Sequence, residues 1–362
     1  MRLGILTFHH SENFGAVLQT LSLQSLLASW GHDVSVLNHA SDQCHPWARW
    51  RDPQGRFVNP LERIRGLLHQ RRFRGDFSRF RNQHLKLTPP LSDPHGLAEA
   101  ARSLDGIITG SDQVWHFSRE PRYFLHWDPP FSGRKISYAA SCGTDSQPEG
   151  NGREIGSWIR SFHAVSVRDD FSAKLISKIT GREPVVVADP TLLVDPGSWV
   201  QCPANLPSHY YLLYHLGPPS ADLALWMHQI QRQQGHAPWV WLNGNADRIP
   251  RPPPAEFRRW HAAPETWLGA IQNCRALLTD SFHGILYALQ FQKPFLILAS
   301  DRFRRARLLD LIQRYDLAGH LLPPWPPAGQ IPGAQPSANT RIKIQAHVEM
   351  SLGFLRRALS TP

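Results

Sequence analysis

The sequence predicts an α/β protein wound into two parallel-sheet halves that face each other across a cleft. Three observations carry this expectation. Short apolar runs alternate with segments of helical periodicity along most of the chain. The apolar runs repeatedly end in small or polar turns that open helices, as happens at the carboxyl edge of a doubly wound sheet. At 362 residues, the chain is also too long for one ordinary core and suits two.

Residues 3–8 read as a first buried strand, followed by a polar loop through His9, Ser11 and Asn13 to Gly15. In the helix beyond, Phe14, Val17, Leu18 and Leu21 form one apolar stripe. Leu23, Leu26, Leu27 and Trp30 form another nine residues later. At about 100° per residue the second stripe is displaced by roughly half a turn, so the helix is expected to lie buried between layers. Gly31 ends it, and residues 34–37 give the second strand of a βαβ opening. Asn13, Gly15 and Gln19 then sit at the ligand-binding edge of the sheet. Neither a G-x-G-x-x-G fingerprint nor a Walker sequence accompanies them.

Four more strands follow the same plan. Residues 106–108 lead to Ser111, Asp112 and Gln113 after a glycine, where Asp112 could be a turn former or an acid or base. Residues 136–140 lead to Ser141 and Cys142. Residues 164–167 lead to Arg168 and Asp169, and residues 185–188 to Asp189, Pro190 and Thr191. The stretch 195–208, rich in Pro and Gly, is the linker candidate. Beyond it strands are expected at 210–214, 239–242, 277–278 and 295–298, with helices at 222–234, 264–272, 303–313 and 337–360. The most informative unit is the strand-turn-helix from Ala276 to Leu286. Asp280 or Ser281 can cap a helix whose apolar face is Phe282, Ile285, Leu286 and Leu289. His283 falls in its first turn, beside backbone N–H groups that favour an anion. The expected organisation is a Rossmann-like domain over 1–195, a second over 209–335 and a closing helix over 337–362 that can return to the first domain. Two such domains suggest a glycosyltransferase-B-like architecture with its site in the cleft.

The formal net charge of +10 is uneven: residues 49–86 hold eleven Lys or Arg against three acids. Arg63, Arg65, Arg71, Arg72, Arg74, Arg79 and Arg81 alternate there with Ile64, Leu67, Leu68, Phe73, Phe77 and Phe80. This is a basic amphipathic helical region, either a solvated face or a surface for phosphates on nucleic acid, anionic lipid or an acceptor. It carries no RRM, KH or zinc-finger signature, so no nucleic acid is expected, and an anionic membrane or a lipid-linked phosphate acceptor is the favoured partner. Cys44, Cys142, Cys202 and Cys274 are far apart, which argues against a zinc site or a disulfide scaffold. The apolar run after Met1 is too short for a signal peptide, and no run of eighteen apolar residues occurs. A cytoplasmic enzyme is expected, with peripheral contact at the inner face of the membrane, no metal and no cofactor.

Taken together, these motifs resemble the polysaccharide pyruvyl transferase family. The resembling residues run from Gly4 to Phe8, from Asn13 to Gln19, from Gly110 to Trp115 and from Ser137 to Ser141. They continue from Ser166 to Asp169, from Asp189 to Leu193 and from Thr279 to Gly284, and end at Lys293, Pro294 and Phe295. The resemblance implies transfer of a pyruvyl group from phosphoenolpyruvate to a sugar of a surface polysaccharide or its lipid-linked precursor. It implies donor binding at Arg168 and His283. Some family members carry Arg two positions before this His, where this chain has Ser281, and Arg302, Arg304, Arg305 and Arg307 are candidate replacements by charge.

The chemistry fits those residue types. Phosphoenolpyruvate needs fixed cations and N–H donors, which Arg168 and the helix start at Ser281, Phe282, His283 and Gly284 can supply. A helix N-terminus disfavours the imidazolium of His283, and a bound dianionic phosphate would restore it. Asp112 is the candidate base for the acceptor hydroxyl, and Asn13, Gly15, Gln19, Ser111 and Gln113 are the candidate acceptor-side residues. A nucleotide-sugar glycosyltransferase would use the same helix N-terminus for a diphosphate, and is the alternative reading.

Overall fold

The computed structural model describes residues 1–39, 60–91, 94–116, 121–143, 152–216, 221–234, 237–243, 257–298, 302–322 and 335–360. Cys44, the 49–59 part of the basic stretch and the proline clusters at 251–254 and 323–327 lie outside the described residues. So do the side chains of Arg63, Arg65, Arg302, Arg304 and Arg305.

The chain opens with β1 (Arg2–Leu6), α1 (Phe14–Ser29) and β2 (Asp33–Val36). Every residue of α1 from Phe14 to Gln24 is buried, as its two stripes require. Next come α2 (Pro60–His84), α3 (Pro94–Ala101), β3 (Gly106–Thr109), β4 (Arg134–Ser137), α4 (Gly152–Arg160), β5 (Ser166–Val167), α5 (Asp170–Thr180) and β6 (Val185–Val186). Strands β2, β1, β3 and β4 form a parallel sheet in that order. Single bridges from Ile136 to Ala164 and from Ala140 to Val167 carry it on to the parallel β5–β6 pair.

After the stretch 200–210 the pattern restarts with β7 (Tyr211–His215), α6 (Ala221–Gln234), β8 (Trp239–Asn243), β9 (Phe257–Trp260) and α7 (Pro264–Asn273). It ends with β10 (Ala276–Thr279), α8 (Phe282–Gln290), β11 (Phe295–Ile297), α9 (Arg302–Tyr315) and α10 (Ala338–Ser360). The second sheet runs β11-β10-β7-β8-β9, every pair parallel. The fold is therefore α/β with two Rossmann-like sheets, as expected. Strand β9 was not expected: Arg258 and Arg259 break its apolar run, and an edge position tolerates them.

One apolar cluster runs through both halves. Phe14 of α1 stacks on Trp267 of α7 with ring centres 5.0 Å apart and planes 4° from parallel, and meets Tyr214 of β7 edge-on at 5.9 Å. Phe73 and Phe77 of α2 pack on the same ring. Helix α10 returns to the first half: Ser351 Oγ accepts from Ala188 N at 2.8 Å, and Arg134 Nη1 donates to the Leu359 carbonyl at 3.1 Å.

The sheet orders also locate the site. In the first sheet the chain changes direction of travel between β1 and β3, and in the second between β7 and β10. Open α/β sheets bind ligands beyond the carboxyl ends of strands at such switch points. The loops there, with the strand end and helix starts beside them, carry residues 7–15, 110–113, 215–216 and 280–284.

Candidate active site

The second half contributes the start of α8. Ser281 is the N-cap, its Oγ accepting from Gly284 N at 3.3 Å. Ser281 N donates to Thr279 Oγ1 at 3.0 Å, and Thr279 Oγ1 donates to the Tyr214 carbonyl at 2.7 Å. A Cβ at position 284 would lie 2.9 Å from Thr279 Oγ1, so the tight entry into the helix requires glycine. His283 is thereby fixed in the first turn and buried. Asp280 is not the cap. It accepts from Leu216 N at 2.8 Å and faces His215 Nε2 at 3.5 Å, joining the ends of β10 and β7.

In the first half the loop after β3 is turned sharply. Gly110 has φ of +111°, and a Cβ there would fall 2.3 Å from the Tyr138 carbonyl oxygen. Asp112 has φ of +69°, a left-handed conformation that a non-glycine residue holds at some cost. Ser111 Oγ lies 3.1 Å from both the Ala139 carbonyl and Asp189 Oδ2, two acceptors sharing one proton. Ser111 N donates to Gln19 Oε1 at 3.1 Å, and Gln19 Nε2 lies within 3.0 Å of Thr7 Oγ1, the Ala16 carbonyl and Thr20 Oγ1. Gln19 is thus a buried brace for the Ser111 loop, and Asn13 caps α1 by accepting from Ala16 N at 3.2 Å.

Two candidates from the first half do reach the second. A Cβ at Gly15 would fall 1.9 Å from His283 Nδ1, because the imidazole lies directly on this backbone. The Gln113 amide, its oxygen turned toward α9, accepts from Arg307 Nη1 at 2.5 Å and Nη2 at 3.0 Å.

The centre of the site is Arg168, 4 % exposed. Its Nη1 donates to Asp189 Oδ2 at 2.9 Å and its Nη2 to Asp112 Oδ1 at 3.4 Å, while its guanidinium carbon sits 4.5 Å over the Phe282 ring. Burial works against the guanidinium charge, but Asp189, Asp112 and Asp169 outweigh it and hold Arg168 charged. Asp189 Oδ1 accepts from Thr191 N at 3.1 Å and Thr191 Oγ1 at 2.9 Å. Its Oδ2 takes Arg168 and Ser111 and faces His283 Nε2 at 3.6 Å, an ion-pair distance longer than a hydrogen bond. Burial pushes the Asp189 carboxyl up, but His283 and Arg168 prevail and hold it far below the usual carboxylate range. A narrow crevice lies against Arg168, Asp189 and Phe282 and is bounded by Asp310, Arg314 and His347.

Of the residues picked from the sequence, Ser111, Asp112, Arg168, Phe282 and His283 converge. Ser281, Gly284, Gln19 and Asn13 shape the backbone around them. The sequence reading missed Asp189 as the hub. Its proline neighbour gives it the look of a turn residue, and its partners Arg168 and Ser111 are 21 and 78 residues away. Cys142 is fully buried, and burial pushes its thiol well above the usual range, so it is a packing residue.

Residues 13–302 match the family model described as polysaccharide pyruvyl transferase. The chain belongs to the polysaccharide pyruvyl transferase family. As a member of that family it is a transferase, and all the candidate residues from Asn13 to Gly284 fall within the matched span. A comparison with curated proteins finds no match. Among solved structures, the chain is similar to UDP-GlcNAc 2-epimerase from Methanocaldococcus jannaschii, with 9 % identity and a TM-score of 0.45 over 97 % of this chain and 93 % of that one. It is also similar to UGT89C1 from Arabidopsis thaliana, with 11 % identity and a TM-score of 0.44 over 99 % of this chain and 95 % of that one.

Proposed function

We propose that the protein transfers the pyruvyl group of phosphoenolpyruvate to hydroxyls of a sugar, in a surface polysaccharide or its lipid-linked precursor, and releases inorganic phosphate. What supports this reading is a single convergence in a member of this family: Arg168 from the first half and His283 from the start of α8 meet on one buried carboxylate, Asp189. The enzyme would work in the cytoplasm, taking lipid-linked acceptors at the inner face of the membrane.

In this reading a sugar hydroxyl oxygen bonds to C2 of the enol while C3 takes a proton and becomes a methyl group. The C2–O bond to phosphate then breaks with its electron pair going to phosphate. A second hydroxyl closes the ketal at C2. Of the two hydroxyl protons, one ends on C3 and the other leaves with phosphate, so no electron acceptor is required. Arg168 uses two of its five N–H donors on Asp189 and Asp112, and its buried Nε has no hydrogen-bond partner among the described residues. The remaining N–H groups address the donor's carboxylate or phosphate, aided by the Phe282 and His283 N–H groups in the first turn of α8, since those of Ser281 and Gly284 are taken up within the turn. His283 binds the phosphate or supplies a proton. Asp112 takes the proton of the attacking hydroxyl.

The test is phosphate release from phosphoenolpyruvate across a panel of sugar acceptors, with mass spectrometry of the products and nucleotide sugars assayed in parallel. Acceptor-dependent release with a pyruvyl ketal on the sugar is the expected result. Consumption of a nucleotide sugar, with no phosphate release from phosphoenolpyruvate in the presence of any acceptor, would replace pyruvyl transfer with glycosyl transfer.

A further inference from the structure

Helix α2 carries two apolar faces, and the protein uses one of them. Phe73, Phe77 and Phe80 are buried in the core shared by the two halves. Ile64, Leu67 and Leu68, spaced i, i+3 and i+4, are 54, 43 and 62 % exposed. At about 100° per residue this ridge lies roughly opposite the phenylalanines. Arg71 continues it, three residues after Leu68, and Arg72 flanks it; both are exposed. The other large exposed apolar side chains among the described residues, Met1, Val185, Leu225, Leu309, Ile342 and Met350, are scattered along the chain. A three-residue ridge on one helical face is a different object from such single exposures.

The sequence that carries the ridge is one-sided in charge. Residues 49–86 hold eleven Lys or Arg against three acids, and of these acids Asp76 is taken up by His261 at 2.6 Å and Arg79 at 2.8 Å. An apolar ridge beside arginines matches a layer of anionic headgroups above acyl chains. Arginines meet phosphates, and Ile and Leu enter the boundary beneath them. A nucleic acid would answer the arginines and leave the ridge in water.

We propose that the outward face of α2, formed by Ile64, Leu67, Leu68, Arg71 and Arg72, docks the protein on an anionic lipid bilayer. The contact is peripheral in kind, because among the described residues no helix is long and apolar enough to cross a membrane. The same helix touches the cleft loop. Arg81 Nη1 donates to the His10 carbonyl at 3.2 Å, and Arg74 Nε lies 4.0 Å from Glu12 Oε1. Docking therefore holds the loop that leads into Gly15 close to the bilayer, where a lipid-linked acceptor would be presented. That last consequence rests on the pyruvyl-transfer reading; the docking does not.

The experiment is flotation of the full-length protein with vesicles of phosphatidylcholine alone or mixed with phosphatidylglycerol, at low and high salt. Thermal unfolding of each variant confirms that it is folded. Binding to the anionic vesicles and release by salt are expected. The double substitution Arg71→Gln, Arg72→Gln should lower the partition coefficient roughly fivefold per arginine. Leu67→Ser, Leu68→Ser should lower it about tenfold or more at unchanged charge. Equal binding to both vesicle types, or none, would overturn the proposal. So would sensitivity to the arginine pair with indifference to the leucine pair, the pattern of a polyanion such as nucleic acid. Phosphate release from phosphoenolpyruvate with a water-soluble acceptor is read separately, so docking can fail while transfer stands, and the reverse.

Discussion

Replacing Asp189 by Asn tests whether the buried carboxylate organises the site. Asparagine offers one oxygen and one NH2 group. If its oxygen stays on Thr191, the NH2 opposes Arg168, which sat 2.9 Å from Oδ2. If it flips, the NH2 opposes Thr191 N. Either way a charge-assisted hydrogen bond is lost, worth about 1.5–3 kcal/mol. Arg168, almost wholly buried, also loses one of its two close counter-ions, the other being Asp112 at 3.4 Å, and breaking a buried pair raises the cost to about 3–5 kcal/mol. Turnover should fall by about a hundredfold, because Arg168 and His283 both lose their common reference point. The carboxyl is depressed in the folded state, so its stabilisation is fully present above the ordinary Asp value of about 3.9 and is lost as pH falls below it through the folded value. Asp189→Asn should accordingly flatten the acid limb of the stability profile. Denaturant unfolding measures the stability, and phosphate release from phosphoenolpyruvate measures turnover. A double-mutant cycle with His283→Gln shows whether Asp189 acts through the histidine. Additivity within about 0.5 kcal/mol, or wild-type turnover in the Asn variant, would refute the assignment.

Asp112→Asn should abolish turnover while leaving calorimetric binding of a donor analogue in place, and retained turnover would remove Asp112 as the base. Gly15→Ala drives a methyl group to 1.9 Å from His283 Nδ1, so the ring must move; about 1–3 kcal/mol of stability and on the order of a hundredfold in kcat should be lost, read by thermal unfolding and phosphate release. His347 bridges Tyr315 OH at 2.8 Å and the Val186 carbonyl at 3.2 Å, and burial lowers it to about 4. Its stabilisation is present above about 6.5 and lost as pH falls toward about 4, on the order of 3 kcal/mol, so urea unfolding across that window should show a shallower slope for His347→Gln.

The elements that announced themselves in the sequence were those whose stabilising contacts are local. The doubled stripe of α1 foretold a helix buried on both sides, and Ser281 with Gly284 foretold the start of α8. Contacts made at long range were not legible. Asp189 reads as a turn residue until Ser111, Arg168 and His283 close around it. Asn13 and Gln19 have the composition of ligand-binding residues, yet their polar atoms brace the loops of their own half. The periodicity of α2 was legible, but which of its apolar residues face inward depends on Phe14 and Trp267, which belong to other elements.

The stacking of Phe14 on Trp267 makes the two halves complementary fragments of one core. A cut within 200–208 would leave Phe14, Phe73 and Phe77 bare on one piece and Tyr214 and Trp267 bare on the other. Each exposed face is the template on which the other piece completes itself. Gly15 and His283 can touch only when that reunion has taken place, so the imidazole contact reports on assembly of the fragments as well as on the chemistry of the cleft.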